Sequence, residues 1–186
     1  MSQDNHKNAL VIRPGSLGDI IATIPVFLSL KNASFNVFLV GKEKVNRYLE
    51  HKGIIKKGID FGDMKLSEYF SRTKKMEIPG FPDFEFVLCY LEPECSFCQN
   101  LTLTYGNRTI FHPVSEQIPC HISNFLLIPL ITKNIPVCYN YQSVNETPGN
   151  IFFIHPGSGS KRKNWPQENF AEVFKTMNKN FECKIL

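Results

Sequence analysis

The passage from Asn8 to Leu28 narrows the fold more than any other part of the chain. A short apolar run with β-branched residues, Asn8 to Arg13, meets the breaker sequence Pro14-Gly15-Ser16-Leu17-Gly18 and gives way to residues with a helical period. That order reads as strand, glycine loop, helix. Ile20, Ile21, Ile24, Phe27 and Leu28 fall on one helical stripe, which predicts a buried face, and Pro25 either kinks this helix or restarts it.

The same grammar continues. Phe35 to Val40 reads as a second strand, Lys42 to His51 as a polar helix and Phe84 to Leu91 as another buried strand. Ser96 to Tyr105 reads as a helix, Thr109 to Phe111 as a short strand, and Ser123 to Ile131 as a very apolar helix ending near Pro129. Between Gly53 and Glu77 neither period persists, and Asp60-Phe61-Gly62 echoes a kinase tripeptide without any other kinase signature. Strands alternating with helices predict an α/β fold with a parallel, Rossmann-like sheet.

From Tyr139 to Asn150 the composition turns polar and ends in Pro148-Gly149, which predicts a linker and a boundary near residue 148. The expected domains are therefore 1–147 and 148–186. The second opens with a strand, Ile151 to Ile154, then a Gly/Ser loop, then a helix from about Pro166 with Phe170, Val173, Phe174 and Met177 on one face. Glu182 to Leu186 reads as the opening of the next strand.

Composition excludes several classes. With 42% hydrophobic and 20% charged residues the chain of 186 is globular rather than disordered or collagen-like. Its formal charge of +4 fits anionic small ligands or an anionic membrane surface, and is too small to argue for nucleic acid. No apolar run approaches the roughly 18 residues of a membrane span, and the polar start from Met1 to Asn8 is not a signal peptide, so the expected location is the cytoplasm. The six cysteines lack a framework spacing; Cys95-Ser96-Phe97-Cys98 is a lone pair read as structural, and no metal site is expected.

Two loops carry the candidate chemistry. Gly157-Ser158-Gly159-Ser160-Lys161-Arg162-Lys163 joins a strand to a helix, so its backbone N–H groups, the helix start and three cations suit a phosphate or diphosphate; it also reads as a flexible Gly/Ser loop beside a solvated basic cluster. It is neither a Walker A loop nor a GxGxxG fingerprint. In the first loop, Asp19 at a helix start is either an N-cap or a general base at the carboxyl end of the first strand, where open α/β sheets bind ligands. Arg13 either holds an anion there or pairs with a carboxylate, and His155 either orients a ligand or is simply hydrogen-bonded.

Val11 to Pro25 (VIRPGSLGDIIATIP) resembles the opening of the glycosyltransferase family 9 heptosyltransferases, and Ile154 to Pro166 (IHPGSGSKRKNWP) resembles the start of their second domain. His121 to Leu130 is similar to the helix before that family's linker, whereas residues 53–110 match loosely. The resemblance implies a GT-B architecture of two Rossmann-like domains, the first for a lipid-linked lipopolysaccharide inner-core acceptor and the second for a nucleotide-sugar donor, usually ADP-heptose. It implies inverting, metal-independent transfer with no further cofactor, and peripheral contact with the inner membrane. By position, Asp19 corresponds to the proposed base and Ser158, Ser160 and Lys163 to diphosphate-holding residues, with Gly159 in the same loop. Arg13, Gly15, Ser16, Gly18 and His155 are further ligand-binding candidates. Relatives continue for well over a hundred residues past the position of Leu186, so the expectation is an incomplete donor domain, in a transferase fragment or in an inactive or merely acceptor-binding remnant.

Overall fold

The computed structural model describes residues 7–78, 80–114, 120–138 and 164–180. The chain divides into two compact units, residues 1–141 and 142–186, each described by itself. The first is built on five parallel strands, β1 (Lys7–Ile12), β2 (Phe35–Gly41), β3 (Lys57–Asp60), β4 (Phe86–Cys89) and β5 (Thr109–Phe111), in the order β3-β2-β1-β4-β5. This is the Rossmann-like α/β fold expected from the alternation of elements.

β1 is central, so both its faces are covered and an unbroken apolar run is what the position requires. Ala9 and Val11 join one core with Val37, Leu39, Phe86 and Leu88. Leu10 and Ile12 join the other with Phe38, Val40, Val87 and Cys89. Helices α1 (Leu17–Ala22), α2 (Ile24–Asn32) and α3 (Glu43–His51) close the first core, through Ile20, Phe27 and Leu49 among others. On the opposite face lie α4 (Met64–Ser67) and α5 (Ser96–Tyr105), which contribute Leu66, Phe97 and Leu101.

Pro25 restarts the helix rather than bending it. It sits in the first turn of α2, where a missing N–H removes no helical bond, and Thr23 between the helices donates its Oγ1 hydrogen to the Asp19 carbonyl at 2.8 Å. The break shifts the helical phase and corrects the single stripe: Ile20 and Phe27 are fully buried, but Ile21 is 49% exposed.

Three other expectations are corrected. The β3 strand was not foreseen; it is four residues at the sheet edge, too short to show a period. The strand expected over Phe84 to Leu91 contracts to β4, which pairs with β1 and β5. The third concerns α6 (Ile122–Thr132), which runs through Pro129 instead of ending there. A proline leaves the carbonyl four residues earlier without its helical donor. That carbonyl belongs to Phe125, and His112 Nε2 lies 2.9 Å from it, with its ring stacked on Phe125 at 4.3 Å. A side chain from the end of β5 thus replaces the missing bond.

In the Cys95–Cys98 pair, Cys98 is buried with its Sγ 3.8 Å from that of Cys89, and both Cys95 and Cys98 have raised pKa values. Hydrogen bonding to Cys89 and burial raise Cys98, and burial leads for Cys95. Activated thiols are shifted the other way.

In the second unit, α7 (Gln167–Asn180) matches the helix expected from about Pro166, and Trp165 packs edge-on against Phe170 at 5.1 Å. The expected linker from Tyr139 to Asn150, the strands at Ile151 to Ile154 and Glu182 to Leu186, and the Gly/Ser loop lie outside the described residues.

Candidate active site

In the order β3-β2-β1-β4-β5 the chain steps outward from β1 to β3 and then resumes on the other side of β1. The connection after β1 runs through α1 and α2 on one face, and that after β4 runs through α5 on the other. Diverging connections open a crevice at the carboxyl ends of these two strands, the place where open α/β sheets bind ligands. Arg13 directly follows β1 and Tyr90 directly follows β4.

Backbone bonds continue the ladder into both residues. Arg13 N–H donates to the Val40 carbonyl at 2.9 Å and Tyr90 N–H to the Ile12 carbonyl at 3.1 Å. The Arg13 side chain is almost wholly buried, with its guanidinium carbon 5.4 Å from the centre of the Tyr90 ring. Tyr90 is fixed in turn by its hydroxyl, which donates to the Leu126 carbonyl of α6 at 2.7 Å. Burial pushes the Tyr90 phenol well above its usual range, so it stays neutral.

Asp19 completes the cluster. The residue that caps α1 is Ser16, which corrects the reading of Asp19 as an N-cap; Asp19 stands three residues on and reaches back. Its Oδ2 accepts from the Ser16 N–H at 2.6 Å and from the Ser16 hydroxyl at 2.7 Å. Its Oδ1 accepts from Arg13 Nη2 at 3.3 Å. One carboxylate oxygen is therefore occupied by the turn, while the other has a single long bond among the described residues and a side chain 42% exposed.

The Ser16 hydroxyl, then the Ser16 amide and the Arg13 and Lys42 charges, hold the Asp19 carboxyl below its usual 3.8 against partial burial. It is ionised at neutral pH, as a proton acceptor must be.

Gly15 is present for a steric reason. Its φ is +154°, and a Cβ there would stand 2.8 Å from Asp19 Oδ2. Gly18 has no such constraint, since a Cβ would meet only Ser16 Oγ at 3.9 Å. The structure thus brings Arg13, Gly15, Ser16 and Asp19 together, with Gly18 on the exposed side of the turn. His155, Ser158, Gly159, Ser160 and Lys163 lie outside the described residues.

Three contributors were not singled out from sequence: Tyr90, Lys42 and the exposed Leu17. Lys42 directly follows β2 as Arg13 directly follows β1, and that parallel was the available signal. A groove of about 590 Å³ beside the turn is lined by Leu17, Lys42, Lys44, Val45 and Tyr48, together with acidic groups that include Asp60. Among the described residues no group of three or more His, Cys, Asp or Glu side chains converges, and no helix is long and apolar enough to cross a membrane.

No protein-family model and no curated protein matches the chain. Among solved structures it is similar to the crystal structure of the glycosyl transferase family 9 from Veillonella parvula DSM 2008, with a TM-score of 0.60 and 16% identity. The likeness covers 90% of this chain and 58% of that one, so the chain spans little more than half the length of the structure it matches. At that identity the likeness is one of fold.

Proposed function

We propose that the chain carries the acceptor side and the catalytic base of a glycosyltransferase that moves a heptose from ADP-heptose, or a similar nucleotide sugar, to the lipid-linked inner core of lipopolysaccharide. One observation carries this reading: Asp19 stands at the crevice between β1 and β4, with Oδ2 fixed by Ser16 and Oδ1 open apart from Arg13. The fold likeness supports a transferase in general terms, and the motifs at Val11 to Pro25 and Ile154 to Pro166 supply the finer assignment.

In this mechanism the acceptor hydroxyl lies against Asp19 Oδ1. As its oxygen attacks the anomeric carbon from the face opposite the diphosphate, the proton passes to Asp19 and the carbon–oxygen bond to the donor breaks with its electron pair going to the diphosphate. The configuration inverts, and no metal is required. Arg13 holds Oδ1 in place throughout, so the base does not have to be oriented at the moment of reaction. Backbone groups of the Gly157-to-Lys163 loop, with the Ser158 and Ser160 hydroxyls and the Lys163 ammonium, receive the developing charge. Transfer takes place at the cytoplasmic face of a membrane that holds the acceptor.

The test is transfer itself. The purified chain is incubated with ADP-heptose and a lipid-linked inner-core acceptor, and the product is followed by mass spectrometry and its anomeric configuration by NMR. The expected product carries one added heptose of inverted configuration. Acceptor binding without any transfer, under conditions where a transferase of this fold turns over, would establish a non-catalytic acceptor-binding protein instead.

A further inference from the structure

Arg13 has few hydrogen bonds for a cation so far from water. Its side chain is 7% exposed, and among the described residues its one ion pair is the 3.3 Å contact with Asp19, while Nε has no hydrogen-bond partner. Burying a guanidinium without full partners is costly, and its long unbranched stem has several staggered positions open to it. Its place must come from another contact.

The group beside it is Tyr90, which is itself held at three points. Its N–H continues the ladder to the Ile12 carbonyl at 3.1 Å, its hydroxyl donates to the Leu126 carbonyl at 2.7 Å, and the His112 ring stands edge-on to it with centres 6.1 Å apart. His112 is fixed in turn by stacking on Phe125 and by the 2.9 Å contact of its Nε2 with the Phe125 carbonyl. Both anchoring carbonyls lie in the turn of α6 that precedes Pro129. The Tyr90 ring is thus a fixed plane behind Arg13.

We propose that Tyr90 is a positioning residue for Asp19: its ring, 5.4 Å from the guanidinium carbon, fixes Arg13 where it meets Oδ1, and its hydroxyl ties that ring to α6. A cation over an aromatic face is attracted by the quadrupole of the ring, most strongly where water is excluded. The ring acts on Arg13, and the hydroxyl acts on the ring. Tyr90 is not a catalytic residue, because it is 4% exposed and its hydroxyl hydrogen is committed to a backbone carbonyl, so it neither meets substrate nor moves a proton. The inference rests on the reading of Asp19 as the base, and it adds that the orientation of that base is set through Arg13 from the end of β4.

The experiment reads Arg13 directly in the intact chain, without donor or acceptor, so the positioning role and the transfer reaction fail independently. Nitrogen-15 NMR relaxation of the Arg13 Nε–H group, its signal assigned from Arg13→Gln, is compared in the wild type, Tyr90→Phe, Tyr90→Leu and Tyr90→Met; circular dichroism establishes which variants are folded. Expected in the wild type and Tyr90→Phe is an order parameter near that of rigid backbone, about 0.85, and in Tyr90→Leu and Tyr90→Met one below about 0.6. Methionine is the sharper replacement, since it fills irregular core space without a ring face. A control, Leu30→Ala, removes a buried side chain of α2 from the same core and should leave the signal unchanged. In a transfer assay Tyr90→Met should lower kcat about tenfold or more with KM unchanged, and Tyr90→Phe should recover most of it. A mobile Arg13 in the wild type, an equally rigid one in folded Tyr90→Met, equal loosening in Leu30→Ala, or loosening in Tyr90→Phe as great as in Tyr90→Leu overturns the proposal. So does transfer that a loosened Arg13 leaves unchanged. Loosening confined to Tyr90→Leu and Tyr90→Met, in a chain whose wild type transfers no sugar, would support the hold of the ring on Arg13 and overturn the proposed function instead.

Discussion

Two aspartates stand at the same edge of the sheet, each bonded to the turn that leads a strand into a helix, and they are bonded differently. Asp60, at the end of β3, accepts the Glu43 N–H on Oδ2 and the Gly62 N–H on Oδ1, both at 2.7 Å. Each of its oxygens is tied to backbone, so it starts α3 and closes the turn after β3. Asp19 gives only Oδ2 to its turn and leaves Oδ1 to a buried cation and the crevice. The difference teaches that residue type and position at a sheet edge do not decide whether a carboxylate is free to meet a ligand; the number of oxygens left after the backbone is satisfied does.

The sharpest way to break this comparison is Gly15→Ala. The new Cβ falls 2.8 Å from Asp19 Oδ2 at a φ of +154°. It should destabilise the unit by on the order of 1–3 kcal/mol and, by displacing the carboxylate, lower transfer about 10²-fold. Chemical denaturation and initial rates check this, and an unchanged rate would mean that the observed carboxylate position is irrelevant to function. Next in size is Asp60→Asn, expected to cost about 1–2 kcal/mol through weakened bonds to two backbone N–H groups. Its rate per folded molecule should not change.

The smallest effect separates Asp19 from His112, the residue that follows β5, by pH. Burial lowers the His112 pKa from 6.5, so its stabilising contribution is complete above that value and is lost as pH falls below it. Asp19, lowered from 3.8, keeps its contribution until pH falls below about that value and loses it as pH drops through its folded pKa. Denaturation curves should therefore show one decline below pH 6.5 that His112→Gln flattens, and a second below pH 3.8 that Asp19→Asn flattens. A single decline insensitive to both variants would remove the distinction.

Much of this was legible in the residues. The strand, glycine loop and helix from Asn8 to Leu28 were readable because a buried central strand needs an unbroken apolar run and the turn needs Gly15. Asp19 was readable as a candidate, yet its role as the reaching-back partner of Ser16 depended on where the helix began, and boundaries are the weakest part of such a reading. β3 was invisible because an edge strand of four residues is held by pairing with β2 rather than by its own pattern. The continuation of α6 through Pro129 depended on His112, seventeen residues earlier in the chain, and no local window contains both. Tyr90 read as one more strand residue, although its place beside Arg13 follows from β1 and β4 being neighbours.

The claim that Asp19 serves chemistry while Asp60 serves the fold is tested most directly by measuring sugar transfer and unfolding free energy for Asp19→Asn and Asp60→Asn side by side. The account predicts that Asp19→Asn remains folded and loses about 10²- to 10⁴-fold in turnover, as expected for a lost general base, whereas Asp60→Asn loses stability and keeps its turnover per folded molecule. Transfer that survives Asp19→Asn, or falls equally in both variants, would contradict it.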